Sequence, residues 1–143
     1  MVNMNEDNLT IASILENEGL IKFNFPQTDK FKQSKYVLVI RADTTNFTRL
    51  MIYPIDTKKI LKLIFVIKKD KVGKVRELPT DFKNFEVIHN SGLILKKDKY
   101  MGEIYFNLCY SDTKYKDLKT YLDRNKNVFD KINLNEINML FEQ

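Results

Sequence analysis

Most of the side chains in this chain that could bind an anionic partner are lysines, and they occur in clusters. The sequence has 24 basic and 19 acidic residues and a net charge of +5. The basic residues expected to bind a phosphate backbone fall in two groups, Lys68, Lys69, Lys74 and Arg76, and then Lys96, Lys97 and Lys99. If both groups lie at one end of a sheet, they form a patch that follows such a backbone, with Tyr100 and Tyr105 as stacking faces. The other interpretation is that these lysines, like the group Lys58, Lys59 and Lys62, solvate strand ends and protect exposed edges.

Few residues offer catalytic or metal-binding chemistry. His89 is the single histidine and Cys109 the single cysteine. One histidine and one distant cysteine do not make up the ligand set of a usual first-row metal site, and we expect His89 to be a half-buried strand residue. Cys109 is expected in the middle of a strand, away from any helix N-terminus that would activate its thiol. Phosphate-binding glycine loops, zinc-protease motifs and paired carboxylates do not occur in the sequence. It therefore predicts no enzyme, no metal site and no cofactor.

The length and composition are those of an ordinary globular chain. At 143 residues it is most simply one domain, and 43% apolar with 30% charged residues suffices for a normal core. No apolar stretch approaches the roughly 20 residues that cross a membrane. The polar and acidic residues 1–7 do not resemble a signal peptide, and a single cysteine excludes an intramolecular disulfide. We therefore expect a cytoplasmic protein with no membrane partner.

The most apolar run of the chain, residues 60–69, is expected to be the central strand. Its two faces carry Leu61, Leu63, Phe65 and Ile67 on one side, and Ile64 and Val66 on the other. A run that is apolar on both sides is typical of an interior strand with both faces covered. A buried helix is the rival, but the many β-branched residues and the lysines at both ends favour a strand.

The remaining pattern predicts an α+β fold around that strand. We expect a mostly antiparallel sheet of five to six strands, comprising a meander over 36–67 and further strands near 85–95 and 103–110. The predicted helices are an N-terminal one over 8–18, a short one over 75–83, and two C-terminal ones over 112–124 and 134–141. Residues 128–132 are either a connection or a short strand. If the helices all cover one face of the sheet, the other face needs a second subunit, so we expect a homo-oligomer.

Residues 61–132 show a family resemblance. From residue 61 the predicted order is strand, helix, strand, strand, helix, strand, which is that of a ferredoxin-like fold. This part resembles an ACT domain, a small regulatory module, through the run Leu-Ile-Phe-Val-Ile-Lys-Lys-Asp-Lys-Val-Gly at 63–73 and then Phe-Glu-Val-Ile at 85–88. Gly73 matches the glycine of the family's turn. Val72 stands where the family usually has proline, and Pro79 falls inside the expected first helix.

The resemblance implies a function and a set of binding residues. ACT domains sense small molecules, often amino acids, at an interface between paired domains, and the positions that carry over are Asp70, Lys71 and Gly73. Backbone amides beside a glycine can approach an anionic ligand because no Cβ intervenes. Asn90, on the second predicted strand, is added from geometry. We therefore expect a non-enzymatic small-molecule-sensing or protein-interaction domain that self-associates and binds a small anionic or amino-acid ligand. Nucleic-acid binding through the lysine groups is the alternative.

Overall fold

The computed structural model describes residues 9–18, 29–77 and 81–139, without the side chains of Ile11 and residues 74–77. The chain divides into two compact units, one made of residues 1–59 and 137–143 and the other of residues 60–136. We call these the first and the second unit. The expectation of one domain stays a prediction.

The first unit contains a three-stranded antiparallel sheet in the order β1-β2-β3. Its elements are β1 (Ile11–Glu16), α1 (Asp29–Gln33), β2 (Tyr36–Asp43) and β3 (Thr48–Ile55). Ile14 of β1 lies opposite Leu38 of β2, and both side chains are fully buried. Strands β2 and β3 were predicted to within two residues at each end, because their β-branched runs flank the polar turn at residues 44–47.

The predicted N-terminal helix is wrong, because residues 11–16 form strand β1. The helical interpretation placed Ile14 and Leu15 on the same face. In the structure Ile14 is buried and Leu15 is 45% exposed, which is the alternation of a strand. The β-branched isoleucines suit an extended backbone, and pairing with β2 satisfies the backbone groups that β1 directs toward it. The expected helix-capping residue Asn8 and stop residue Gly19 lie outside the described residues.

The second unit contains a five-stranded sheet in the order β5-β7-β4-β8, with β6 also paired to β7. Its elements are β4 (Lys59–Ile67, whose first residue belongs to the first unit), a 3-10 helix (Lys69–Glu77), a second 3-10 helix (Lys83–Phe85), β5 (Val87–Asn90), β6 (Ile94–Lys96), β7 (Lys99–Phe106), α2 (Thr113–Arg124) and β8 (Phe129–Asn138, whose last two residues belong to the first unit). Strand β7 is antiparallel to β4, β5 and β6. Strand β8 is antiparallel to β4, since Lys68 N–H bonds to Val128 at one end and Met139 N–H to Lys58 at the other.

Strand β4 has the interior position that its sequence predicted. It lies between β7 and β8, and its face of Leu61, Leu63, Phe65 and Ile67 is buried. That face packs against Leu118 and Leu122 of α2, the predicted helix that the structure confirms. The expected order from residue 61 onward is strand, helix, strand, strand, helix, strand, whereas the described residues form two 3-10 helices after β4 and three strands, β5, β6 and β7, before α2. The resemblance to the ACT family stays a prediction.

The predicted meander over 36–67 is wrong at its third strand. β4 does not pair with β3 but belongs to the other sheet. Before β4, Thr57 Oγ1 accepts the Lys59 N–H at 3.0 Å and also donates to the Lys59 carbonyl. A strand with two apolar faces gains most beside another buried strand, and β7, buried from Met101 to Phe106, provides that neighbour.

The predicted final helix over 134–141 is also wrong, because β8 continues to Asn138. Asn133 and Glu136 were expected to form a capping box. Instead the Glu136 carboxylate accepts the Tyr110 N–H at 3.3 Å, and the Leu134 carbonyl accepts the Tyr110 hydroxyl. Pairing with the open edge of β4 stabilises this segment more than its own helix propensity does. The pairing satisfies the backbone groups that β4 and β8 direct toward each other.

The region around β6 and β7 differs from its prediction as well. Residues 98–102 were expected to connect two strands, but β7 already begins at Lys99 and ends at Phe106. Lys97 and Asp98 alone make the turn from β6, with φ values of 49° and 66°. Two consecutive left-handed residues are the geometry that matches the twist of a tight hairpin. Of the short helix expected over 75–83, residues 78–80 lie outside the described residues; residues 69–77 form one 3-10 helix and residues 83–85 a second.

Candidate functional site

The two predicted basic groups meet at one end of the second unit's sheet. Ile67, the last residue of β4, lies opposite Tyr100 of β7. Just beyond this pair, Lys69 Nζ lies 2.7 Å from Asp98 Oδ1 in the hairpin turn. The groups around Lys69 and around Lys99 are thus neighbours, as the nucleic-acid hypothesis required.

Acidic residues divide this basic end. Asp98 forms an ion pair with Lys69, and Lys99 Nζ lies 3.9 Å from Asp130 Oδ2. Both ion pairs are exposed and contribute little to stability, but each reduces the local positive charge. Lys68 and Lys97 are exposed and Lys96 is half-buried, whereas the side chains of Lys74 and Arg76 lie outside the described residues. Tyr105 is fully buried, so it is not a stacking face.

The predicted ligand-binding residues do not form a glycine turn. Asp70, Lys71 and Gly73 lie within the first 3-10 helix. Gly73 has ordinary backbone geometry, and a Cβ added there would meet open space. A glycine is therefore not required at this position for a close approach. Asn90 has a local role, because its Oδ1 accepts the Gly92 N–H at 2.9 Å. Ligand binding by these four residues stays a prediction.

The most unusual surface of the second unit is the outer side of β6. Leu93, Ile94 and Leu95 are consecutive and are 37%, 40% and 59% exposed. Within the described residues, β6 pairs with β7 alone. Its other side is therefore a sheet edge with apolar side chains on both faces. Soluble proteins normally protect such edges, so three exposed apolar residues in succession require an explanation.

A bend between β5 and β6 positions this edge. Gly92 has a φ of 71°, which favours glycine, and Ser91 on its N-terminal side is tied to β7. The Ser91 N–H donates to the Glu103 carbonyl at 2.9 Å, and the Glu103 N–H donates to Ser91 Oγ at 2.9 Å. β6 is thereby held on β7 without being continuous with β5. The sequence predicts a strand near 85–95 but not that its last residues lie at an edge, because edge position depends on the pairing of distant strands.

A row of polar side chains lies on the face of this sheet opposite the α2 core. Lys62 of β4 and His89 of β5 both lie opposite Tyr105 of β7. Lys62 Nζ is 2.7 Å from Glu103 Oε2 and 5.4 Å from the centre of the Tyr105 ring. The Tyr105 hydroxyl donates to the same carboxylate at 3.4 Å. Lys62 and Glu103 are 4% and 0% exposed, so this is a fully desolvated ion pair.

Burial dominates the acid–base behaviour of the row. Loss of solvent lowers the pKa of Lys62, and the Glu103 charge opposes that shift in part. Burial likewise lowers the pKa of the half-buried His89, again with Glu103 acting in the opposite direction. Because Lys62 and Glu103 are closed to solvent, we assign them a structural role. Ile64 and Tyr105 on this face are also buried, whereas Val66 and His89 are half-buried. Homo-oligomerisation stays a prediction.

Cys109 does not lie in the middle of a strand, as expected, but between β7 and α2. Its N–H donates to Asp112 Oδ2 at 3.0 Å, and its Sγ lies 2.9 Å from Ser111 Oγ. In the part of the chain that the structure describes, no three His, Cys, Asp or Glu side chains are arranged to hold a metal ion. None of the described helices is long and apolar enough to span a bilayer.

The comparisons with known proteins identify no relative. No protein-family model, curated protein or solved structure matches the chain. The candidate site therefore depends on the geometry of the chain itself, and its most unusual feature is the apolar edge at β6.

Proposed function

We propose that this chain is a non-enzymatic protein-interaction domain that binds an extended segment along the β6 edge. The observation that carries the proposal is the exposure of Leu93, Ile94 and Leu95 on an edge strand. Addition of a strand to a sheet edge is a common mode of recognition, in which main-chain hydrogen bonds supply affinity and alternate side chains supply specificity.

The backbone of β6 suits this mode of binding. Lys96 and Lys99 flank the two-residue turn, so they form the hydrogen-bonded pair of the hairpin. Hydrogen-bonded and non-hydrogen-bonded pairs alternate along an antiparallel ladder. Leu95, opposite Tyr100, is therefore in a non-hydrogen-bonded pair, and its N–H and C=O are directed to the outside. An added strand would pair with these groups.

The charges near the edge define the chemistry of the partner. Lys96 and Lys97 directly follow the apolar residues, and Lys99 lies opposite Lys96. A partner segment would place apolar side chains beside Ile94 and Leu95 and uncharged or acidic residues beside the lysines. Such charge complementarity contributes mainly to specificity and to the rate of association.

A binding measurement with defined peptides tests this proposal. The probe is a fluorescently labelled peptide that alternates valine and threonine and ends in two glutamates, and its anisotropy is followed as the full chain is added. We expect Leu95→Lys to weaken binding roughly tenfold, since it replaces an apolar contact by a charge. The matched control is Leu50→Lys, which alters a 38% exposed leucine of the first unit and should leave binding unchanged. Equal binding by the wild type and Leu95→Lys would contradict the proposal.

Nucleic-acid binding at the basic end is a second candidate. The contact between Lys69 and Asp98 supports it, because it brings the two basic groups together. Anisotropy with labelled single- and double-stranded oligonucleotides at about 50 and 200 mM salt is the test, since phosphate contacts weaken steeply with salt. Lys97→Ala should reduce affinity and Asp98→Asn should increase it, whereas Lys119→Ala on α2 is the control. Absence of binding at the lower salt would exclude this function.

A further inference from the structure

We infer that the segment bound by the β6 edge is the β6 edge of a second copy of this chain, in antiparallel orientation about a two-fold axis at Ile94. The inference rests on the proposed function, because it names the partner of the same edge. Its basis is that the edge is complementary to itself in both hydrogen bonding and side chains.

The hydrogen-bonding groups define the available registers. The alternation that directs the Leu95 N–H and C=O outward does the same for Leu93, two residues earlier. With the axis at Ile94, Leu93 of each copy lies opposite Leu95 of the other. Both pairs then have outward-directed groups, so each exchanges two hydrogen bonds. The two Ile94 residues face each other as a non-hydrogen-bonded pair, in which side chains are closest.

The alternative register, with the axis at Leu95, is unfavourable. It places Ile94 opposite Lys96 and Leu93 opposite Lys97. Lys97 has a φ of 49° in the hairpin turn and does not continue the extended backbone that a ladder needs. The axis at Ile94 avoids this, because its two hydrogen-bonded pairs, each Leu93 with Leu95, lie between Gly92 and the hairpin turn.

The favoured register also separates the charges. Each copy carries a net charge of +5, so an interface that brought lysines together would be opposed. With the axis at Ile94, Lys96 lies opposite Gly92 of the second copy, which has no side chain. The exposed apolar run is thereby covered by its own equivalent, while the lysines remain at the two ends in water. This resembles the use of charged residues to limit pairing to one closed dimer.

Engineered cysteines test the register in the full chain. In a Cys109→Ser background, Ile94→Cys places two thiols in a non-hydrogen-bonded pair with Cα atoms about 4.5 Å apart, within the range that a disulfide spans. Leu95→Cys is the matched control. Its two Cα atoms would be about 8 Å apart, two residues along the strand and one strand spacing across, which is beyond that range. We expect mild oxidation to link Ile94→Cys and not Leu95→Cys. Equal or faster linking of Leu95→Cys would overturn the inference.

Sedimentation of the cysteine-free and wild-type chains tests self-association independently. We expect a monomer–dimer equilibrium that Leu95→Lys weakens roughly tenfold, because the substitution occurs twice in a symmetric interface. Circular dichroism of each variant confirms that it is folded. A monomer at every concentration that still binds the valine–threonine peptide would overturn self-pairing and leave the proposed function standing. A monomer that does not bind the peptide would overturn both.

Discussion

The buried ion pair between Lys62 and Glu103 allows the sharpest prediction. Replacing Lys62 by methionine keeps much of the side-chain volume but leaves the Glu103 carboxylate without its cation. The carboxylate is fully buried, and the ammonium group is 2.7 Å away. Breaking such a pair from one side costs about 3–5 kcal/mol, because an uncompensated charge remains in the interior. We therefore expect Lys62→Met to remove a large part of the roughly 5–15 kcal/mol that stabilises a typical domain.

The double variant Lys62→Met/Glu103→Met separates the pair from its surroundings. It removes both charges and fills the site with apolar atoms, which is often close to neutral. We expect its stability to lie well above that of Lys62→Met, with a strongly favourable coupling energy in the double-mutant cycle. The Tyr105 hydroxyl loses an acceptor in the double variant, so full recovery is not expected.

The assay is equilibrium unfolding in urea at neutral pH, monitored by circular dichroism. The free energies of unfolding are compared between variants that share the same dependence on urea concentration. The control is the exposed pair of Lys69 and Asp98, whose side chains are 59% and 85% exposed. The same exchange to methionine there should change stability by less than about 1 kcal/mol. The reasoning is refuted if Lys62→Met costs no more than this control, or if the two single costs simply add in the double variant.

Three further predictions concern the same sheet. Gly102→Ala should cost about 1–3 kcal/mol in urea unfolding, because its Cβ would lie 2.5 Å from Cζ of the buried Phe65; a smaller cost in a Phe65→Leu background would confirm this contact, and an equal cost would contradict it. His89 has a pKa below its usual 6.5, so the unfolded chain takes up a proton first as the pH falls. The wild type should therefore lose stability relative to His89→Gln as the pH falls through 6.5, and a relative gain would show that the sign is wrong. Gly92→Ala should destabilise the fold by about 1 kcal/mol because the φ of Gly92 is 71°. Gly73→Ala should be tolerated, since open space surrounds the new Cβ. If thermal unfolding shows Gly73→Ala to be the more destabilising variant, the requirement for glycine at position 92 is refuted.

Elements whose own residues define them could be predicted from the sequence. The apolar run of β4, the flanked strand β2 and the stripe of Leu118 and Leu122 on α2 each need only local information. The failures share a cause. The segments at 11–16 and 134–138 have spacings that suit a helix or a strand, and the choice depends on β2 and β4, which offer them a ladder.

The polar features of the sheet could not be predicted for a related reason. The sequence groups Lys62 with the neighbouring Lys58 and Lys59 at a strand end and carries no signal that Glu103 lies beside it. Their contact joins two strands that are distant in sequence, through the register between β4 and β7. The exposed run at β6 is visible as three apolar residues followed by lysines, but only strand order shows that it lies at an edge.

The position of β4 has a consequence for how the chain is made. It is the first strand of the second unit, yet its neighbours β7 and β8 end at Phe106 and Asn138. A ribosome adds about 5–20 residues per second, so the roughly 70 residues from Ile67 to Asn138 take about 4–14 s. Until β7 is complete at Phe106 the nascent chain carries an apolar strand with no neighbour on either side, and until Asn138 that strand still lacks β8. The lysines at its two ends, Lys58 and Lys59 before and Lys68 and Lys69 after, then act as gatekeepers that keep the newly made segment from associating with other nascent chains.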